Sequence, residues 1–151
     1  MNRKEISREA LLLRNKYAGG EKLVNPYELG SRLGIKIISY TFPENIFGLL
    51  VFLKGKAYIG INRFLYPFWK QFTLAHELGH FTLHQYKFYL CGLSGTSKEE
   101  EEANYFASEL LVPGNLLVKE RAFKNRDYKT ISLKYKVPVE AVEKMVKDCG
   151  G

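Results

Sequence analysis

The sequence lacks the features of exported, membrane-spanning or disulfide-bonded proteins. No apolar run approaches the roughly 20 residues that a helix needs to cross a bilayer. The first residues are polar and contain no hydrophobic core of a signal peptide. The two cysteines, Cys91 and Cys149, form no CxxC pair. These absences predict a cytoplasmic protein with free thiols and argue against a zinc site built from cysteines.

The composition nevertheless provides for one packed core. Of the 151 residues, 46% are hydrophobic and 14% aromatic, which is typical of a folded domain and excludes a disordered chain. This length predicts a single domain over residues 1–151, with 114–147 as its helical extension. The net charge of +7 is concentrated at the two ends of the chain. A basic surface can meet nucleic acid or an acidic partner, but solubility alone explains it at least as well.

The apolar pattern predicts an α+β fold. Helical spacing and helix-capping residues predict two N-terminal helices, two long central helices and three short C-terminal helices, at 3–17, 25–34, 67–83, 98–111, 114–123, 127–135 and 138–147. Runs rich in β-branched and aromatic residues predict strands at 35–40, 47–53 and 57–61. Lys54-Gly55 indicates a tight hairpin between the last two strands, and residues 84–96 read as an irregular loop. We therefore expect a small three-stranded sheet packed on the two long helices.

All three histidines lie within residues 76–84, two of them inside the helix predicted at 67–83 and the third directly after it. Residues i and i+4 of a helix lie about 40° apart around the axis and roughly 6 Å apart along it. His76 and His80 can therefore bind one ion from one face. Glu77 can reach a water activated by that ion and act as its general base. The motif His76-Glu77-Leu78-Gly79-His80 predicts a zinc-dependent hydrolytic site, and the alternative is a chance pattern on an ordinary helix.

Gly79 is unexpected inside this helix. A glycine in a helix interior costs roughly 1 kcal/mol relative to alanine. A helix that accepts this cost often allows another backbone to approach closely. This would suit a second, ligand-bearing helix packed at Gly79, although a harmless glycine is an equal alternative.

A zinc site of this kind needs a third protein ligand, and His84 is the nearest candidate in the sequence. A metal between His76 and His80 would lie about 9 Å from His84 along the helix axis. An imidazole cannot easily span that distance while the helix continues. We therefore expect His84 to pack or form a hydrogen bond near the site rather than bind the metal.

Carboxylates at the start of the next long helix are better candidates. Projection at about 100° per residue places Glu99 and Glu100 near the apolar face of that helix and does not choose between them. A structural role competes, because Ser97 and Glu100 match a capping box, as do Thr96 and Glu99. The residues alone leave open whether a glutamate here binds zinc or caps the helix.

Two segments together resemble the ImmA/IrrE family of zinc metallopeptidases. The first is the histidine-bearing segment 72–84. The second is 100–113, where Glu-x-x-Ala-Asn-x-Phe-Ala is followed by Leu-Leu-Val-Pro. The resemblance covers residues 5–147 and implies a minimal zincin-like fold. It also implies that Glu100 is the third zinc ligand and that Asn104 braces the ligand set.

The resemblance further implies a biological role. Family members are similar to anti-repressor proteases of phages and integrating elements. This chain is therefore expected to be a zinc endopeptidase that cleaves a regulatory protein, a DNA-binding repressor of the helix-turn-helix type, and so relieves repression. The alternative is a module that sequesters a repressor or antitoxin without cutting it and holds a structural metal. Manganese is a second candidate for the metal.

Three further expectations concern how partners would bind. The segment 130–142 resembles half of a helix-turn-helix, but we prefer a helical pair packed on the core over direct nucleic-acid binding. An extended substrate is expected to add to a sheet edge, at strand 47–53 or 57–61. Tyr66 and Tyr105 lie near the two motifs and are candidates for stabilising the oxyanion.

Overall fold

The computed structural model describes residues 1–19, 23–84, 89–92 and 97–150, and of residues 89–92 it describes the backbone. The elements, in chain order, are α1 (Arg3–Tyr17), α2 (Pro26–Arg32), β1 (Lys36–Tyr40), β2 (Ile46–Leu53), β3 (Lys56–Asn62), α3 (Pro67–Leu83), β4 (Tyr89–Gly92), α4 (Lys98–Leu111), α5 (Gly114–Leu117), α6 (Arg121–Lys124), α7 (Tyr128–Tyr135) and α8 (Val139–Gly150). The predicted α+β class is confirmed. None of the described helices has the length and apolar character needed to cross a membrane.

The sheet contains the three predicted strands and one more. Its order is β1-β3-β2-β4, with β1 parallel to β3 and β2 antiparallel to both β3 and β4. The prediction of an irregular loop over 84–96 was wrong for β4, which is too short to show a period and forms by pairing with β2. The remaining loop residues 85–88 and 93–96, and with them the Thr96 cap, lie outside the described residues.

The strand order also corrects the expected substrate edge. Both β2 and β3 have a neighbouring strand on each side, so neither offers the free edge predicted for them. The outer strands are β1 and β4. The tight hairpin between β2 and β3 is confirmed, because Lys54 and Gly55 both have positive φ angles, of 49° and 76°, as a primed two-residue turn requires.

Helix α3 lies at the centre of the fold. It packs against β2 and β3 of the sheet and against α2 and α4. Every residue from Phe72 to His80 is buried, because neighbours cover the helix on several sides. Pro67 begins the helix, where a missing amide hydrogen has no cost. A motif on this helix is therefore held by the core rather than by a loop.

Helix α4 packs tightly against α3 at Gly79. A Cβ atom at this glycine would lie 3.1 Å from the Ala103 carbonyl oxygen, 3.2 Å from the Ala103 Cα and 3.1 Å from a ring carbon of Phe106. The expectation that another helix approaches at Gly79 is therefore confirmed. From its other side, α1 supports α4. The buried Arg14 guanidinium donates a hydrogen bond to the Leu110 carbonyl oxygen over 2.7 Å.

The C-terminal helices differ from the prediction at one point. The single helix expected over 114–123 is divided into α5 and α6. Glu120, between them, turns its carboxylate toward α7. It accepts hydrogen bonds there from the Lys134 ammonium and from the Tyr135 hydroxyl, the latter at 2.7 Å. Helices α7 and α8 bury Ile131, Val142 and Met145, so they pack as part of the same core.

We expect Gly79→Ala to destabilise the fold by about 1 kcal/mol. Alanine gains about 1 kcal/mol in helix propensity, but its methyl group would press on the backbone of α4, and overpacking of this kind costs typically about 1–3 kcal/mol. Urea unfolding measures the change.

Gly30→Ala is the matched control, since a Cβ there would meet the flexible tip of Ile37 at 2.8 Å. This tip can rotate away, so the control should be neutral or stabilising. Equal free energies of unfolding for the two variants would contradict the close contact at Gly79.

Candidate functional site

Three of the predicted site residues meet between α3 and α4. His76 and His80 come from consecutive turns of α3, and Glu100 comes from the first turn of α4. Each offers a ligand atom, and these atoms lie within 4.8 Å of one another. The two Nε2 atoms are 3.1 Å apart. One Glu100 oxygen lies 3.0 Å from His76 Nε2 and the other 2.8 Å from His80 Nε2.

Glu100 takes part in the cap of α4 through its backbone alone. Its amide donates a hydrogen bond to the Ser97 hydroxyl oxygen over 3.2 Å, while its carboxylate points to the histidines. Burial raises the pKa of this carboxyl, but hydrogen bonds and charges from His76 and His80 outweigh burial and lower it to about 2. The cap therefore uses the Ser97 hydroxyl and the Glu100 backbone amide, and the Glu100 carboxylate is left to contact the histidines.

A second layer of side chains orients the two imidazoles. His76 Nδ1 lies 2.7 Å from the Asn104 side-chain oxygen, and His80 Nδ1 lies 3.0 Å from His84 Nδ1. Both rings therefore have their Nδ1 atoms occupied and their Nε2 atoms directed at Glu100. His84, four residues after His80, forms a hydrogen bond beside the site, as expected from the sequence.

Glu77 is fully buried next to this cluster. Neither of its carboxylate oxygens has a hydrogen-bond partner among the described residues. Burial raises the pKa of Glu77 to about 8, against an opposing effect of His76. A buried carboxyl without a partner is costly, so Glu77 lowers the stability of the fold at this position.

Gly48 gives Glu77 its space, and the sequence reading missed it. A Cβ atom at this position of β2 would lie 2.8 Å from the Thr73 methyl carbon and 3.1 Å from a Glu77 oxygen. The ladder between β2 and β4 is also irregular between Ile46 and Gly48. A glycine inside an apolar strand was the available signal, since such a glycine often marks a bulge or a close approach.

A cleft of about 590 Å³ opens onto the cluster at His76 and Glu100. Residues of α1, α3, α4 and α8 line it, together with Met1 and Phe47 of β2. Tyr105 lines the cleft, whereas Tyr66 is 81% exposed at the start of α3 and is not among its lining residues. Of the two tyrosines considered from the sequence, Tyr105 alone lies at the site.

One wall of the cleft is aromatic. Trp69 packs edge-on against Phe47, with ring centres 5.7 Å apart, and against Phe72, with ring centres 6.1 Å apart. All three side chains line the cleft beside His76. Such a wall accepts a large apolar side chain.

Two comparisons relate this arrangement to known proteins. The family model Peptidase_M78, described as an IrrE N-terminal-like domain, matches residues 31–147, a range that contains all of α3 and α4. Immunity region protein 2 of Bacillus phage phi105, described as uncharacterized, is 38% identical over 96 residues. That alignment covers 61% of this chain and 61% of the phage protein, so the chain matches about three-fifths of the length of this relative.

In metal-free protein, we expect Glu77→Gln to raise the free energy of unfolding, and the gain to grow with pH. The unfolded chain loses the Glu77 proton near the ordinary pKa of 4.5, whereas the folded protein keeps it up to about 8. Between these values the folded state binds more protons. The stability of the parent therefore falls as pH rises, by up to about 1.4 kcal/mol per pH unit, and glutamine removes this slope.

Urea unfolding in the presence of a chelator, across the interval between the two pKa values, measures the difference. Glu44→Gln, at an exposed position, is the control and should run parallel to the parent. Parallel curves for the parent and Glu77→Gln would show that Glu77 is not buried as an unpartnered carboxyl.

Proposed function

Since the chain belongs to the Peptidase_M78 family of IrrE N-terminal-like domains, we propose that it is a zinc-dependent endopeptidase that cleaves a DNA-binding repressor. One observation carries the enzymatic part of this proposal. His76, His80 and Glu100 present three ligand atoms to one point, and the unpartnered carboxylate of Glu77 is buried beside them.

The donor set fits zinc. Two imidazole nitrogens and one carboxylate oxygen are a combination that catalytic zinc sites use, and three protein ligands leave a fourth position open. A structural zinc site is instead closed by four protein ligands. A zinc ion held here would make a water acidic and polarise the scissile carbonyl. Manganese accepts similar donors, and metal analysis of the purified protein distinguishes the two.

Glu77 is the proposed general base. It takes a proton from the attacking water and passes it to the amine that leaves. A carboxyl is suited to both steps when its pKa lies near the working pH, and burial raises the pKa of Glu77 in that direction. Gly48 keeps β2 close to this carboxylate without covering it. Tyr105, on the cleft wall, is the proposed donor to the oxyanion.

The cleft supports a protein substrate with a large apolar side chain next to the scissile bond. Trp69, with Phe47 and Phe72, would receive that side chain beside His76. The cleft is also lined by charged residues of both signs, including Arg3 and Asp148, which form an ion pair over 3.5 Å. A cleft of mixed charge does not favour the uniformly negative backbone of a nucleic acid.

The repressor substrate is supported by the phage relative, whose description places it in an immunity region. Sequestration without cleavage is the second candidate, because a basic chain can bind a regulator stably. The three-ligand set favours cleavage, since a metal with a purely structural role needs no open position and no buried Glu77. Direct DNA binding by α7 and α8 is disfavoured because the exposed surface of α8 carries both signs of charge. Glu140, Glu143 and Asp148 lie there beside Lys144 and Lys147.

We expect Glu77→Gln to retain zinc and to lower the cleavage rate about 100- to 10,000-fold, the range that a general base contributes. The substrate to test is a helix-turn-helix repressor encoded beside the gene, with products identified by mass spectrometry. Glu44→Gln is the control that makes the same substitution at an exposed position, and it should cleave normally. A Glu77→Gln protein that cleaves like the parent would refute the mechanism. If it instead relieves repression in cells without cleavage, sequestration is the function.

We expect Trp69→Ala to lower kcat/KM about 10- to 200-fold for a peptide with a large apolar residue at the scissile bond, as loss of pocket contacts does. Trp69→Phe should keep most of the activity because it keeps an aromatic wall. A peptide with alanine at the same position should show little difference between the variants. Equal losses on both peptides would show that Trp69 does not select the substrate side chain.

A further inference from the structure

We propose that His84 and Glu102 form a positioning relay that holds the His80 ring in its metal-binding orientation. This inference rests on the proposed zinc site. The relay is a line of contacts from α3 to α4. His80 Nδ1 lies 3.0 Å from His84 Nδ1, and His84 Nε2 lies 2.7 Å from a Glu102 oxygen. Neither His84 nor Glu102 belongs to the metal cluster.

The direction of each hydrogen bond follows from the ligand role of His80. A ring that binds a metal through Nε2 carries its proton on Nδ1. His80 Nδ1 therefore donates to His84 Nδ1, which must accept. A neutral His84 then carries its proton on Nε2, where it donates to the Glu102 carboxylate. The two hydrogen bonds therefore require the proton of His80 on Nδ1 and the proton of His84 on Nε2, which is one tautomer for each ring.

Glu102 is well placed to end this line. Its carboxylate is about one-tenth exposed and its other oxygen accepts a hydrogen bond from the Met1 amine over 2.8 Å. Lys98, one turn earlier on α4, lies 3.9 Å from the same oxygen. These contacts fix the position of the Glu102 carboxylate. A carboxylate behind two imidazoles makes the ligand nitrogen a stronger donor.

The two ligand histidines are consequently held in different ways. His76 is braced by the neutral amide of Asn104, whereas His80 is braced by a histidine backed by a carboxylate. His84 is too distant to bind the metal itself, but one helical turn is the spacing that lets it reach the Nδ1 atom of His80. The relay therefore gives His84 a role in the site although it does not bind the metal.

Zinc affinity tests the relay without any substrate. We expect His84→Ala and His84→Leu to weaken zinc binding about 10- to 100-fold, as the loss of outer-layer partners typically does. Competition with a chromophoric chelator measures this. His84→Asn should bind zinc more tightly than His84→Ala, because its side-chain oxygen occupies the place of Nδ1 and accepts the same hydrogen bond. It should bind less tightly than the parent, because asparagine is too short to reach Glu102. Leucine fills the space without accepting, which separates orientation from packing.

Glu102→Gln is an independent variant, with Glu101→Gln as the control that removes the same charge from an exposed neighbour. Glu102→Gln should weaken zinc binding and shift the visible absorption bands of the cobalt-substituted protein. Glu101→Gln should change neither the zinc affinity nor these bands. Nitrogen NMR of the zinc-loaded parent should show the His84 proton on Nε2.

The outcomes separate the two proposals. Zinc binding by His84→Leu at the strength of the parent overturns the relay and leaves the zinc site standing. The same holds if His84→Asn loses as much affinity as His84→Ala, or if Glu101→Gln matches Glu102→Gln. Failure of the parent to bind zinc refutes the proposed metal site, and the relay with it.

Discussion

The close packing of α3 against α4 at Gly79 is the constraint on which the site depends. No side chain separates the two helices there, and backbone atoms of Ala103 lie at the distance where a methyl group would overlap them. This contact places the first turn of α4 beside the two histidine-bearing turns of α3. Glu100 can reach both imidazoles because the helix axes are this close. A wider spacing would leave the same side chains on their helices but apart from one another.

The second consequence of this packing is a polar cluster inside an apolar core. Buried polar groups must find partners, or the fold loses stability. Here the partners form layers. His76 and His80 face Glu100 on one side and face Asn104 and His84 on the other. Glu77 stands apart, with neither oxygen paired among the described residues. Among the described residues, the histidines and Glu100 thus have polar partners, and the Glu77 carboxyl has none.

The peripheral helices turn this cluster into a cleft. Helix α1 supports the back of α4 through Arg14, and its Arg3 pairs with Asp148 of α8. The guanidinium of Arg3 also lies 4.9 Å from the Tyr105 ring centre. Helices α1 and α8 therefore meet at the cleft. The C-terminal segment, which resembles half of a helix-turn-helix in sequence, lines this cleft through α8 alone among its described helices, and both α7 and α8 pack on the core.

The sequence by itself determined the local geometry of the site. One helical turn separates His76 from His80, which follows from helix periodicity. The cost of a glycine inside a helix left a close approach at Gly79 and a harmless glycine as equal alternatives, and the structure decided between them. Only the tertiary structure decided which residues of different helices and strands come into contact. Strand β4 exists through its pairing with β2, Gly48 makes room for a carboxylate from α3, and His84 finds Glu102 on α4. Periodicity left Glu99 and Glu100 equivalent, the family resemblance implied Glu100, and the packing of α4 on α3 places the Glu100 carboxylate beside both imidazoles. Such contacts depend on how packed elements are oriented, which no short stretch of sequence encodes.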